Sequence, residues 1–211
     1  MKINRNYFII LFVGILNIST GFAVSLPAPL QVVRRITEHQ ISGADMAGMK
    51  IFVNGSSTSL WDGASASGAG WELAYTGTDT WGGVWKFTKN GFGTVNTISF
   101  DAFGADAVFD KDWSPNGTEN SQTGSFVYRS GPDNVATSFS GPVMIEGASN
   151  AVGDIYRYLT FDFTPIGGLA LGDSFEFTAD TDKVSAIPLP PAMLLFFSGI
   201  VGLIGLKRRK L

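Results

Sequence analysis

The strongest constraint on the fold is a series of short apolar segments between about residues 43 and 183, each ended by turn-forming residues. The clearest segment is Tyr156–Phe163, in which Leu159, Phe161 and Phe163 alternate with polar or amphipathic residues. A period of two places these three side chains on one face of a β-strand. Asn90-Gly91 is a tight-turn signal, and no segment of this region shows the period of an amphipathic helix. The pattern predicts an all-β domain, a β-sandwich or jelly-roll-like fold.

Ten strands are predicted in this region. Two stretches rich in Gly, Ser, Thr and Asn, Gly55–Gly70 and Trp113–Gly124, are predicted to be surface loops. The predicted strands are Met49–Val53, Trp71–Tyr75, Val84–Thr88, Val95–Phe100, Ala107–Phe109, Ser125–Tyr128, Val135–Phe139, Val143–Ile145, Tyr156–Phe163 and Ser174–Thr178.

Composition excludes several kinds of chemistry. The chain has no cysteine and a single histidine, His39, which excludes disulfides, thiol catalysis, zinc sites with Cys ligands and metal sites with several histidines. Nine Lys and Arg lie between the terminal segments together with all 18 Asp and Glu, so this middle part of the chain has a net charge of −9. Such a body is not expected to bind nucleic acid.

The N-terminus has the pattern of a secretory signal peptide. Lys2 and Arg5 precede an apolar run, Tyr7–Ile18, and Gly21-Phe22-Ala23 supplies small residues for cleavage after Ala23. We predict a signal peptide over residues 1–23, exported by the Sec machinery, with an uncleaved anchor as the alternative. Residues 24–42 are predicted to be a leader, in which Pro27 and Pro29 forbid a regular helix. The body is then predicted to cover residues 43–183.

The C-terminus, residues 184–211, has three parts after a short tether. A proline motif, Ile187-Pro188-Leu189-Pro190-Pro191, is followed by an uncharged apolar segment over residues 191–206 and then by Lys207-Arg208-Arg209-Lys210. Counted from Pro188, the apolar part measures about 28 Å as a helix, barely enough to cross a hydrocarbon core of roughly 30 Å. The four cations favour the cytoplasmic side. We predict a single transmembrane helix with a cytoplasmic basic stop; the alternative is a buried C-terminal helix.

This tail resembles the PEP-CTERM sorting signal of Gram-negative bacteria. The matching features are Pro188-Leu189-Pro190, the glycine-containing helix and the basic end; Leu189 replaces the commoner glutamate, as in the V-P-L-P variant. The resemblance implies recognition and cleavage near the proline motif by an exosortase-like membrane enzyme. The body also resembles a recurrent ectodomain of PEP-CTERM proteins. That likeness rests on residues 43–49, the stretch near Gly70-Trp71, and residues 152–156 and 177–182.

Acidic residues are the first candidates for binding. Asp180 and Asp182 end the body, Asp106, Asp110 and Asp112 surround one predicted strand, and Asp45 and Asp154 stand at loop edges. Calcium takes its ligands from such carboxylates and from loop carbonyls, so Asp180 and Asp182 are candidate Ca²⁺ ligands. The competing interpretation, which we favour, is that these residues form turns and keep the surface soluble.

Tryptophans are the second candidates. Trp61 and Trp81 lie in Gly/Ser/Thr-rich contexts where an exposed ring can stack on a sugar, whereas Trp85 alternates with Phe87 in a predicted strand and suits a core. For any single tryptophan, burial in the core is the competing interpretation.

Together these features predict an exported, non-enzymatic protein. It is expected to be held transiently in the inner membrane by one helix with its C-terminus in the cytoplasm, and then sorted to the cell surface or extracellular matrix. The expected role is structural, adhesive or polysaccharide-interacting. The alternatives are a secreted glycan-active enzyme, which needs two opposed carboxylates in a cleft, and a permanently anchored periplasmic domain.

Overall fold

The computed structural model describes residues 31–39, 41–55, 57–112, 117–121 and 124–186. The predicted signal peptide and the sorting tail from Ile187 onward lie outside these residues. The described part is all-β, as predicted, and consists of strands joined by turns and three short 3-10 segments. No helix within it has the length and apolarity that a membrane span requires.

The connections between the strands differ in length. Three 3-10 segments interrupt them, at Ala44–Met46, Ala102–Ala105 and Thr164–Ile166. The strands are β1 (Gln31–Glu38), β2 (Lys50–Val53), β3 (Ser57–Leu60), β4 (Ser65–Gly68), β5 (Trp71–Thr76), β6 (Val84–Lys89), β7 (Thr97–Asp101), β8 (Ala107–Asp110), β9 (Phe126–Ser130), β10 (Ala136–Ile145), β11 (Ile155–Asp162) and β12 (Ser174–Ala186).

Most of the domain is sandwich-like, with two sheets that share the long strand β12. One sheet has the order β3-β2-β7-β11-β10, and the other has the order β4-β5-β6-β12, with β9 also paired to β12. Residues Ser174–Ala179 of β12 pair with β6 and β9, whereas Asp180–Lys183 pair with β8. β12 therefore passes from one sheet into the other near Asp180.

The main core lies between the two sheets and is rich in aromatic rings. Phe161 of β11 packs 4.8 Å, centroid to centroid, from both Phe175 and Phe177 of β12. Trp61 and Trp85 meet edge to face at 4.8 Å, an arrangement that aromatic quadrupoles favour. The phenylalanine rings come from strands of both sheets, so their burial holds the two layers together.

A second, smaller core lies inside a closed ring of five strands. β8 pairs with β11 and β12, β12 pairs with β1, β1 pairs with β10, and β10 pairs with β11. Each of the five strands contributes at least one aliphatic side chain to this core. These buried residues are Val33, Ile36, Val108, Val143, Ile145, Ile155 and Val184.

Several predicted boundaries are wrong. Residues 31–38 of the predicted leader form β1, and the predicted tether after Lys183 is the end of β12, which continues to Ala186. The predicted loop 55–70 contains β3 and β4, which hydrogen-bond to β2 and β5 through their backbones. The predicted strands 135–139 and 143–145 are one strand, β10.

Candidate functional site

Strands β8 and β12 bring three aspartates together inside the domain. Asp110 is the register partner of Asp180, and Asp182 lies two residues further along β12, so all three side chains share one face of the sheet. Their exposed fractions are only 2 %, 1 % and 2 % for Asp110, Asp180 and Asp182. The sequence grouped Asp110 with Asp106 and Asp112; the structure groups it with the two aspartates of β12.

Ser121 lies between two of these carboxyl groups. Its Oγ is 2.6 Å from Asp110 Oδ2 and 2.7 Å from Asp182 Oδ2. A serine hydroxyl has only one proton to donate. Both contacts are hydrogen bonds only if one of the two carboxyl groups is itself protonated and donates to the serine oxygen.

Burial favours the protonated form of two of the aspartates. Desolvation, reinforced by the charges of Asp182 and Asp154 and partly offset by the Ser121 hydrogen bond, raises the pKa of Asp110 to about 7. Desolvation, together with the charges of Asp182 and Asp110, raises the pKa of Asp180 to about 8. The cluster therefore holds protons at pH values where an exposed aspartate has lost its own.

Two further groups border the cluster. His39, just after β1, has Nδ1 3.2 Å from Asp182 Oδ1, and this hydrogen bond raises the pKa of His39 despite its partial burial. On the other side, the Thr80 hydroxyl lies 3.4 Å from Asp180 Oδ1 and 2.9 Å from the Thr181 hydroxyl. The sequence placed His39 in a leader, and its contact with β12 was not foreseen.

Asp154, another buried aspartate, has a different role. Its carboxylate accepts hydrogen bonds from the backbone N–H of Thr118, at 3.0 Å, and from the Thr118 hydroxyl. Thr118 and Ser121 are both buried, although the sequence predicted a surface loop here. The sequence did not indicate the burial of Thr118 and Ser121, because it depends on hydrogen bonds to aspartates that are distant in the sequence.

The candidate Ca²⁺ ligands Asp180 and Asp182 are thus part of a hydrogen-bonded interior cluster. Within the ranges given above, no set of three or more His, Asp or Glu side chains has the arrangement of a metal site. The chemistry visible in this cluster is the sharing of protons among carboxyl groups, a hydroxyl and an imidazole.

The two tryptophans that were predicted to be exposed differ in their burial. Trp61 is 1 % exposed and its Nε1 donates a 2.6 Å hydrogen bond to the carbonyl oxygen of Gly43, so the prediction of an exposed Trp61 that contacts glycan is wrong. Its Gly/Ser-rich neighbours form strands rather than a loop, and the ring packs edge to face against Trp85. Trp81 is 45 % exposed, in the connection between β5 and β6, and stays a candidate contact.

A second exposed ring, Phe92, lies at the opposite end of β6. It is 98 % exposed, and its loop is held by the buried ammonium group of Lys89. Lys89 Nζ donates to the carbonyl oxygens of Gly70, at 3.0 Å, and of Phe92, at 3.1 Å, and also to that of Gly91. The ring borders a groove of about 270 Å³. No sequence pattern singled out Phe92, because the lysine contacts that hold its loop appear only in the fold.

Comparison with known proteins adds no family to this picture. No family model, no curated protein and no solved structure matches the chain.

Proposed function

We propose that this chain is an exported cell-surface or extracellular-matrix protein, sorted and processed at its C-terminus by an exosortase-like enzyme, with a structural or adhesive role. The observation behind the proposal is the three-part tail: the proline motif at residues 187–191, the uncharged segment to Leu206 and the basic stop at Lys207–Lys210. The arrangement suits a short membrane span that stops at cationic residues.

The described domain is compatible with this role in two respects. β12 ends at Ala186, directly before the proline motif, so a cut within that motif would release a domain with all of its strands. The domain also presents two exposed aromatic side chains, Trp81 and Phe92, and rings of this kind stack on sugar faces and anchor interfaces. Extracellular polysaccharide is the partner that we propose for them.

The tail is tested by expressing the full-length chain in a host that has an exosortase. In the Pro188→Ala/Pro190→Ala variant, the chain should stay in the membrane fraction with its C-terminus intact, whereas the unaltered chain is released. A Thr58→Ala variant, altered at an exposed strand position, serves as the control and should be released normally. Equal release of the proline variant and the control would refute recognition of this motif.

Polysaccharide binding is tested separately with Trp81→Ala and Phe92→Ala. Both side chains are exposed, so the variants should fold and should bind extracellular polysaccharide from the producing cells less tightly. A Val127→Ala variant, which alters another exposed apolar residue (45 % exposed), is the control. Unchanged retention of both aromatic variants would refute this partner and leave the sorting proposal intact.

A further inference from the structure

Strand β1 closes the five-strand ring. It lies between β10, to which it runs parallel, and β12, to which it runs antiparallel. It contributes Val33 and Ile36 to the small core. Without β1, the facing backbone groups of β10 and β12 would lack partners, and the core would open along one side. The ring therefore contains a slot whose shape and hydrogen bonds are specific for this strand.

Few contacts fix β1 in this slot. Only Val33 and Ile36 of its eight side chains are buried. The pairing with β10 covers just Gln31 to Val33, and the register with β12 shifts twice, between Val33 and Arg35 and between Ile36 and Glu38. Each shift is a bulge in β1 that interrupts the ladder. Strand β11, by contrast, pairs with β10 and β7 over longer and regular stretches.

A very short connection joins β1 to the rest of the domain. Ile41, three residues after the strand, is 1 % exposed, and its carbonyl oxygen accepts a 2.7 Å hydrogen bond from the Thr80 N–H. Only residues 39 and 40 lie between Glu38 and this fixed point. Short hinges favour exchange of a strand between copies of the same chain.

Charge allows a second copy to supply the strand as well as the molecule's own chain. β1 carries Arg34 and Arg35, both exposed, against the single acid Glu38, whereas residues 43–183 carry seven Lys and Arg and 17 Asp and Glu, a net charge of −10. A cationic strand is attracted to an acidic domain, its own or that of a neighbour. Every copy of the chain has the same β1, so β1 of a neighbouring copy supplies the same apolar side chains to the slot.

We propose that β1 is exchanged between copies of this chain, so that β1 of one molecule completes the five-strand ring of the next. The exchanged strand makes the core contacts seen here, with Val33 and Ile36 in the small core, while the connection at residues 39 and 40 changes its course. Each copy donates one β1 strand and accepts one β1 strand, so exchange produces either closed dimers or longer chains of subunits. Such assembly extends the proposed structural role and does not depend on cleavage of the tail.

The absence of cysteine from the chain permits a direct test. Arg35 and Ser185 are register partners on β1 and β12, and facing residues of antiparallel strands have Cα atoms within disulfide range. The full-length chain with Arg35→Cys and Ser185→Cys is allowed to assemble, is oxidised and is analysed by denaturing electrophoresis without reductant. Exchange predicts covalent dimers or ladders in the oligomeric fraction.

The matched control is the pair Ser99→Cys and Thr160→Cys. These residues are register partners on β7 and β11, strands that lie within one domain and are not exchanged, so their disulfide should form within single chains whether or not the protein assembles. Exclusively intrachain disulfides in the Arg35/Ser185 variant, in every size fraction, would overturn the proposal.

A second measurement uses the unaltered chain. A labelled peptide of residues 31–39, added in excess, should be incorporated into the slot and should reduce the oligomeric fraction. The same peptide with Val33→Asp should do neither. Failure of the unaltered peptide to bind, after incubation at a temperature just below unfolding, would also overturn strand exchange.

Discussion

Asp110 and Asp180 lie directly opposite each other on β8 and β12, in the interior of the domain where β12 leaves one sheet and enters the other. Two ionised carboxylates at facing positions repel each other and lack the solvent that would screen them. The arrangement is stable when the pair carries protons. The stability of the folded domain is therefore expected to depend on pH.

Stability is predicted to fall as pH rises from about 4 to about 8. Unfolded aspartates lose their protons near pH 4, whereas the folded state raises the pKa of Asp110 to about 7 and that of Asp180 to about 8. Between these values the folded state binds more protons, so each step up in pH favours unfolding. The raised pKa of His39 acts in the same direction, because its stabilisation is lost as pH rises through the folded-state value.

Denaturant unfolding at pH 5 and pH 8 measures this effect. We expect the free energy of unfolding to be lower at pH 8 by about 2 kcal/mol or more. Asp110→Asn, which mimics the protonated side chain, should reduce the difference, and Asp112→Asn, at a side chain that is 58 % exposed, should leave it unchanged. Equal or greater stability at pH 8 in the unaltered chain would contradict a protonated cluster.

Ser121 is predicted to be important for stability. Ser121→Ala removes the hydroxyl that contacts Asp110 and Asp182 and leaves buried carboxyl oxygens without that partner, at a cost of about 1–3 kcal/mol. Ser130→Ala, which removes an exposed hydroxyl 3.2 Å from Glu176, should cost less than about 0.5 kcal/mol. Thermal unfolding of both variants distinguishes the two cases, and similar losses would argue against the Ser121 bridge.

Any side chain at Gly124 is predicted to destabilise the domain. A Cβ atom at this position would lie 2.7 Å from the carbonyl carbon of Asp110 and closer still to its carboxyl group. Gly124→Ala must therefore displace β8 or its buried side chain, and we expect a loss of about 1–3 kcal/mol. At Gly82 the nearest atom is Asp79 Oδ1, at 3.6 Å, so Gly82→Ala should be close to neutral. Comparable unfolding temperatures for the two variants would disprove the close packing at Gly124.

Trp61 and Trp81 are predicted to behave in opposite ways. Trp61→Ala opens a cavity beside Trp85 and should cost about 3–5 kcal/mol. Trp81→Ala alters a side chain that is 45 % exposed and should change stability little, while it weakens the proposed binding of polysaccharide. Chemical unfolding and a glycan-retention assay, carried out on both variants, separate the structural from the surface tryptophan. A stable Trp61→Ala variant would contradict its place in the core.

The fold class was predictable because its signals are local. Tyr156–Phe163 and Val84–Thr88 alternate with period two, and both form strands with nearly the predicted bounds. β1 was missed because its buried residues, Val33 and Ile36, are three positions apart, and only the bulges against β12 direct both inward. β3 and β4 were missed because backbone pairing, rather than apolar side chains, defines them.

The candidate cluster was only partly predictable. Asp180 and Asp182 were singled out as a pair two residues apart, but their partner Asp110 is about 70 positions away in the sequence and reaches them through strand register alone. His39 and Ser121 approach Asp182 from two further segments. Contacts of this kind depend on the closed ring, which no local pattern in the sequence describes.

The most direct test of the proposed function is the intact mass of the mature protein, measured separately in membrane and released fractions. We predict a released form that begins near Val24 and ends between Ser185 and Pro190, without the apolar segment and the basic stop. A mature protein found only in the membrane, with Lys207–Leu211 still attached, would contradict exosortase processing and would indicate a permanently anchored domain.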